Sequence, residues 1–230
     1  MACVSTPEER LTLTVPERGE VSAAYARPAG AEATLVVAHG AGAGMDHPFM
    51  VGFTRAMNAE AVATLRFNFP YLEAKRRAPD RPAVAVAAWG AAFAAAVERA
   101  PDADAVWAGG KSFGGRMASM AVAEGMPAAG LIFLGYPLHP PGRPERVRDE
   151  HLPAIQVPML FLQGTKDPFA TPAVLQPVLE RLGPIATLHA VEGGGHSFEV
   201  RGGPRDPRAV AAALAPTVAA FMRSHPRVGS

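Results

Sequence analysis

The chain holds a single cysteine, Cys3, among 230 residues. An internal disulfide is therefore excluded, and so is a metal centre built from thiolates. Aromatic residues make up only 7% of the sequence, and neither sign of charge dominates: 22 Lys and Arg face 21 Asp and Glu. No long basic run is present, which argues against nucleic acid as the main partner. Long apolar runs are missing too. The longest uncharged stretch, 82–97, is alanine-rich, interrupted by Gly90 and too short to span a bilayer comfortably, so no membrane partner is expected. The opening residues MACVSTPEERL lack both a basic start and an apolar segment. No signal peptide is expected from them, and a cytoplasmic location is the default. The abundance of Ala, Gly, Pro and Arg looks like the product of a GC-rich bacterial genome.

What is present points to one α/β domain over residues 1–230, long enough to bury a sizeable core. Residues 11–15 and 21–27 alternate apolar and polar side chains around a turn, which predicts an antiparallel pair at a sheet edge. Apolar runs at 34–38, 63–67, 106–108, 130–135, 157–162 and 186–191 predict buried strands. Helices are expected between them. One starts with Asp46 as cap and Pro48 just inside; others cover 82–99, 116–124 and 171–182, the last with Thr171 as cap. A closing helix over 206–223 has Asp206 as cap and Pro216 as a kink. Residues 72–81 and the proline-rich 136–156 read as loops, the latter with one helical turn. Strand–helix alternation from residue 34 onward is the pattern of a mostly parallel sheet with helices on both faces.

The stretch 103–117 organises the rest. A short apolar strand runs into Gly110-Lys111-Ser112-Phe113-Gly114, a match to G-x-S-x-G, and a helix follows. Strand, sharp turn and helix form the context in which this motif lifts a serine to the carboxyl edge of a sheet. A side chain at Gly110 or Gly114 would collide with neighbouring backbone there. Gly-Lys-Ser also ends a phosphate-binding loop, but that loop needs a glycine where Ala105 stands. A glycine-rich turn holding a chance serine is the other reading of these residues alone.

Three further strand ends carry chemistry-bearing residues. Asp167 follows the strand at 157–162, His196 follows the strand at 186–191, and His39-Gly40-Ala41-Gly42 follows the strand at 34–38. A hydroxyl needs a base to become a nucleophile, and His196 can take and return its proton. Asp167 would fix the imidazole tautomer, although a residue between Lys166 and Pro168 could serve only as a turn former. The developing oxyanion needs two donors. The N–H of Phe113 is one, and Ala41 is the choice for the other, with Gly42 as fallback. The glycines at 40, 42 and 44 miss a dinucleotide fingerprint, which would need glycine at Met45. His39 is read as structural rather than catalytic.

With these residues in place, the chain resembles the α/β-hydrolase superfamily over nearly its whole length. Its narrower cues are HGAGAGMDHPFM at 39–50, LRFNFPYLEAKRRAPDRP at 65–82 and GGKSFGGRMAS at 109–119, which resemble small hydrolases related to the dienelactone hydrolases. The resemblance implies an eight-stranded sheet, a Ser112–Asp167–His196 triad and no cofactor or metal. Dienelactone hydrolases proper use cysteine as nucleophile; serine here leaves ester or thioester hydrolysis of a small molecule the more open expectation. Acyl transfer or perhydrolysis by the same triad, and a non-catalytic binding module on this fold, are the alternatives.

The interval between the strands at 130–135 and 157–162 leaves little room for a helical lid, so an open, shallow site is expected. His39, Met45, Phe69, Tyr71, Tyr136 and Phe198 are candidate pocket residues, with His47, Phe113, Leu138 and Phe169 beside them. Lys75, Arg76, Arg77 and Arg116 could attract an anion or simply form a solvated basic face. The oligomeric state has no signature in the sequence.

Overall fold

The computed structural model describes residues 6–102 and 104–226, and Cys3 lies outside them. Eight strands form one sheet: β1 (Glu9–Val15), β2 (Gly19–Ala26), β3 (Ala33–Ala38), β4 (Ala63–Phe67), β5 (Ala105–Lys111), β6 (Leu131–Leu134), β7 (Met159–Gly164) and β8 (Ala186–Val191). Their spatial order is β1-β2-β4-β3-β5-β6-β7-β8. β2 pairs antiparallel with both β1 and β4, and every later pairing is parallel. The sheet is thus mixed but mostly parallel, as the alternation of strands and helices predicts.

The helices are α1 (Pro48–Ala59), α2 (Pro70–Glu73), α3 (Pro82–Arg99), α4 (Phe113–Ala123), α5 (Pro172–Leu182), α6 (Pro207–Ala212) and α7 (Ala215–Ser224). Proline occupies the first or second position of every one of these except α4. A helix start suits proline because its missing N–H would have had no intrahelical partner.

Four local expectations need correction. The cap of α1 is His47, whose side chain accepts from the Phe49 N–H, because Asp46 is drawn away to Arg66 and Arg10. Thr171 stands at the cap position of α5 without a side-chain bond. Part of 72–81 is helical, as Pro70 starts the short α2. The closing helix is two helices rather than one kinked helix. Pro216 has no N–H to give to the carbonyl four residues earlier, so the chain ends α6 at Ala212 and restarts as α7.

Two hydrophobic cores flank the sheet. One lies under α3, α4 and α5 and holds Phe67, Trp89, Phe133 and Phe161; the other lies under α1, α6 and α7 and holds Phe53, Trp107 and Phe221. Each fully buried large side chain contributes about 1.5–3 kcal/mol. An exposed ion pair such as Arg208–Asp206 contributes about 1 kcal/mol at most. Burial, not surface charge, therefore holds the layers together. One buried cation serves a local purpose: Arg66 on β4 pairs with Glu8 and Asp46, and its Nε donates to the Met45 carbonyl at 2.9 Å, pinning the loop after β3. At the far edge, β8 leaves Thr187 to Ala190 exposed along its length. Among the described residues, no helix is long and apolar enough to cross a membrane.

Two glycines in helices test this packing in opposite directions. A β-carbon on Gly52 of α1 would meet the backbone of Arg208 in α6 at 2.5 Å, whereas one on Gly90 of α3 would meet nothing within 4 Å. In urea denaturation, Gly52→Ala is expected to lower stability by about 1–3 kcal/mol. Gly90→Ala is expected to raise it by about 0.5–1 kcal/mol.

Candidate active site

From β3 the chain crosses to β4 on one side of the sheet and then to β5 on the other. Such a reversal opens a crevice at the carboxyl ends of the two central strands. The loop after β3 and the turn after β5 face each other across it.

Ser112 sits in that turn at φ 50° and ψ −114°, a conformation costing about 1–3 kcal/mol for a residue other than glycine. Close backbone packing imposes it. A β-carbon on Gly110 or Gly114 would overlap the Ala38 carbonyl oxygen, and one on Gly115 would meet the Gly110 carbonyl oxygen at 2.6 Å. The Ser112 N–H donates to Leu134 at 3.1 Å, and its carbonyl accepts from the Arg116 N–H at 3.1 Å. The turn is thus tied to β6 behind it and to α4 ahead. α4 accordingly starts at Phe113, three residues earlier than the sequence pattern indicates.

Ser112, His196 and Asp167 come together although 84 and 29 residues separate the two hydrogen-bonded pairs. His196 Nε2 lies 2.9 Å from Ser112 Oγ, and Nδ1 lies 2.7 Å from Asp167 Oδ2. With Nδ1–H donating to the carboxylate, Nε2 is left to accept from the hydroxyl. Asp167 is fully buried. Its Oδ2 also accepts from Gln163 Nε2 at 2.5 Å and its Oδ1 from the Phe169 N–H at 2.8 Å. Gln163 is oriented in turn, because its Oε1 accepts from the Tyr136 N–H at 2.9 Å. The loops bearing Asp167 and His196 close on each other because Gly164 has no β-carbon to strike the Gly194 and Gly195 carbonyls. The Phe169 ring packs edge-on against His196, with centroids 4.6 Å apart.

Across the crevice, Ala41 and Phe113 both line the cleft. Gly42 is engaged elsewhere, since its N–H donates to Tyr71 Oη at 3.3 Å. His39 shapes this loop from inside. Its Nδ1 bonds the Gly40 carbonyl at 2.8 Å and its Nε2 accepts from the Phe69 N–H at 3.3 Å. Burial pushes its pKa down to about 4, so the ring stays neutral.

Lys111, beside the serine, is 8% exposed. Burial lowers its pKa to about 8, opposed by the charges of Asp167 and Glu199. It remains a cation at neutral pH.

The cleft has a volume of about 970 Å³. The 136–156 segment forms no lid, but Pro137, His139, Pro141 and Arg148 stand as a wall beside Ser112. Of the candidate pocket residues, His47, Phe113 and Phe169 line the cleft. The other candidate pocket residues do not. His39, Met45, Phe69, Tyr71, Tyr136, Leu138 and Phe198 are buried behind it. Phe69 packs on Phe67, Phe113 and His39, Tyr136 on Phe133 and Phe161, and Phe198 on Phe49. These rings gain more from a dry core than from a wet groove. Sequence reasoning also missed Gln163 and Arg148 as site neighbours; nothing in their local pattern marks them.

A family model described as an alpha/beta hydrolase domain matches residues 31–223. Among solved structures, the dienelactone hydrolase of Anabaena variabilis ATCC 29413 is similar at a TM-score of 0.75 and 20% identity, covering 97% of this chain and 100% of that one. A serine hydrolase without lid from Xanthomonas campestris is similar at 0.73 and 22%, covering 94% and 96%. A Pyrococcus furiosus esterase is similar at 0.72 and 15%, covering 96% and 94%.

Buried His39 and half-buried His151 tie this region to pH. Burial lowers His39 to about 4, and burial followed by the Arg116 charge does the same for His151. The unfolded chain, with histidine near 6.5, takes up these protons first. The stability these two histidines contribute is therefore full above about pH 6.5 and is lost as pH falls toward 4. Urea midpoints between pH 7 and 4.5 should show this loss. His151→Gln, which has no proton to gain there, should show a shallower one.

Proposed function

The chain belongs to the alpha/beta hydrolase domain family, and on that premise we propose that it is a serine hydrolase cleaving a small carboxylic ester or thioester. The observation that carries this reading is the hydrogen-bonded line Ser112–His196–Asp167, at 2.9 and 2.7 Å, ending on a serine held in a strained turn.

In this reading His196 Nε2 takes the Ser112 proton as Oγ attacks the carbonyl carbon. Asp167 holds the ring tautomer and stabilises the imidazolium. The carbonyl oxygen becomes an oxyanion between the N–H groups of Phe113 and Ala41. Collapse expels the alcohol or thiol, which receives the proton from His196, and leaves an acyl group on Ser112. Water then attacks the acyl group, His196 takes a proton from that water, and the acid departs as Ser112 regains its hydrogen. One ester and one water give one acid and one alcohol, with no cofactor involved. The proline pattern supports the role of Phe113. α4 alone starts without proline, and its first residue is the one whose N–H this mechanism needs.

Hydrolysis of p-nitrophenyl esters from acetate to decanoate tests the proposal. Activity is expected to favour short acyl chains, because no lid covers a long one. Ser112→Ala should lower kcat by at least about 10³-fold and Asp167→Asn by about 10⁴-fold. A fluorophosphonate probe should label the wild type and not Ser112→Ala. Turnover retained by Ser112→Ala would reject the mechanism.

A further inference from the structure

The cleft beside Ser112 contains an electrostatic feature that ester cleavage does not require. Arg116, four residues after Ser112, and Arg148, on the 136–156 wall, both line it. Among the described residues, neither guanidinium has a carboxylate within ion-pairing distance. Asp149, next to Arg148, is committed to Arg181 instead. Arg116 Nε is buried and has no hydrogen-bond partner.

The acids of the cleft do not answer these charges. Asp80 is held by Arg76 at 2.5 Å and by the Tyr71 N–H at 2.8 Å, and Glu199 accepts from the Ser197 N–H at 3.1 Å. Lys111 and Arg205 add further positive charge to the same walls. The two arginines also disfavour each other. Burial, then the charge of Arg116, then that of Arg146 hold Arg148 below the ordinary arginine value.

Both backbones are nevertheless clamped in place by one polar cluster built on buried Ser119 and Tyr136 and half-buried His151. Ser119 Oγ donates to the Arg116 carbonyl at 2.8 Å, and Tyr136 Oη donates to the Arg148 carbonyl at 3.3 Å. Ser119 Oγ also lies 2.7 Å from His151 Nε2 and 3.4 Å from Tyr136 Oη. The Arg148 N–H donates to the Leu138 carbonyl at 2.7 Å. Two cations on one cleft wall, with fixed backbones, one unsatisfied buried donor at Arg116 Nε and no carboxylate partner among the described residues, form a receptor for an oxyanion, which a guanidinium fork binds well.

Building on the serine-hydrolase reading, we propose that Arg116 and Arg148 form an anion-binding subsite, so that the ester cleaved at Ser112 carries a second, anionic group, a carboxylate or a phosphate. The subsite selects among esters and leaves the bond-breaking steps to Ser112 and His196. It also gives the Ser119–Tyr136–His151 cluster a purpose, since that cluster holds the two arginine-bearing segments together.

The test is the ratio of kcat/KM for p-nitrophenyl hemiglutarate to that for p-nitrophenyl butyrate. The wild type should favour the hemiglutarate, and the ratio should fall about tenfold or more in Arg116→Gln and in Arg148→Gln, as loss of a charged hydrogen bond implies. Arg148→Lys keeps the charge but not the fork and should fall between. A wild-type preference for butyrate, or a ratio unchanged in both glutamine variants, overturns the subsite. If Arg116→Gln does not fold, Arg148→Gln decides alone. If neither ester turns over, the esterase reading fails and the subsite is judged by calorimetric titration of Ser112→Ala with glutarate and with inorganic phosphate. Saturable binding that Arg148→Gln abolishes supports it; no saturable binding of either overturns it.

Discussion

Three glycines leave the backbone of α4 in direct contact with the central strands, and the site depends on that contact. Gly110, Gly114 and Gly115 allow the helix to begin against the Ala38 carbonyl and the Gly110 carbonyl, where any β-carbon would intrude. The contact forces Ser112 into its left-handed turn and sets where the Phe113 N–H can point. It also couples the two halves of the crevice, because Ala38 leads directly into His39 and the loop bearing Ala41. The strain at Ser112 is small beside the two cores that fix its surroundings, so the fold tolerates it.

Asp167 presents the opposite problem, a carboxylate with no access to water. Burying such a charge costs several kcal/mol unless hydrogen bonds replace its hydration. Here His196, Gln163 and the Phe169 N–H supply them. Gln163 reaches further. By accepting from the Tyr136 N–H, it joins the acid to the segment whose hydroxyl steadies Arg148. The same few side chains therefore position the hydrogen-bonded line Ser112–His196–Asp167 and one wall of the cleft.

The sheet, its edge hairpin and the meeting of Ser112, Asp167 and His196 at hydrogen-bond distance were legible because each depends on a local pattern: apolar runs, glycines around a serine, and single polar residues just past strand ends. The pocket walls were not legible. Phe69 and Tyr71 leave a strand as loop residues should, yet their rings turn inward, and local sequence does not encode that direction. Asp46 failed as a cap because Arg66, twenty residues away, competes for it. Arg116 and Arg148 meet only through folding, and Gln163 looks like an ordinary strand end. In each case the deciding partner is distant in the chain, which periodicity and spacing cannot report.

The outer strand β8 joins these themes. It has a neighbour on one side only, and most of its length is in water. Edges of this kind open with less free energy than the centre of a sheet. His196 hangs from the loop that leaves this strand, whereas Ser112 is rooted in the middle of the sheet. On heating, fraying of β8 would carry the imidazole out of line while the cores and most secondary structure persisted. Loss of the His196–Ser112 hydrogen bond, not loss of shape, would then be the first symptom of thermal damage.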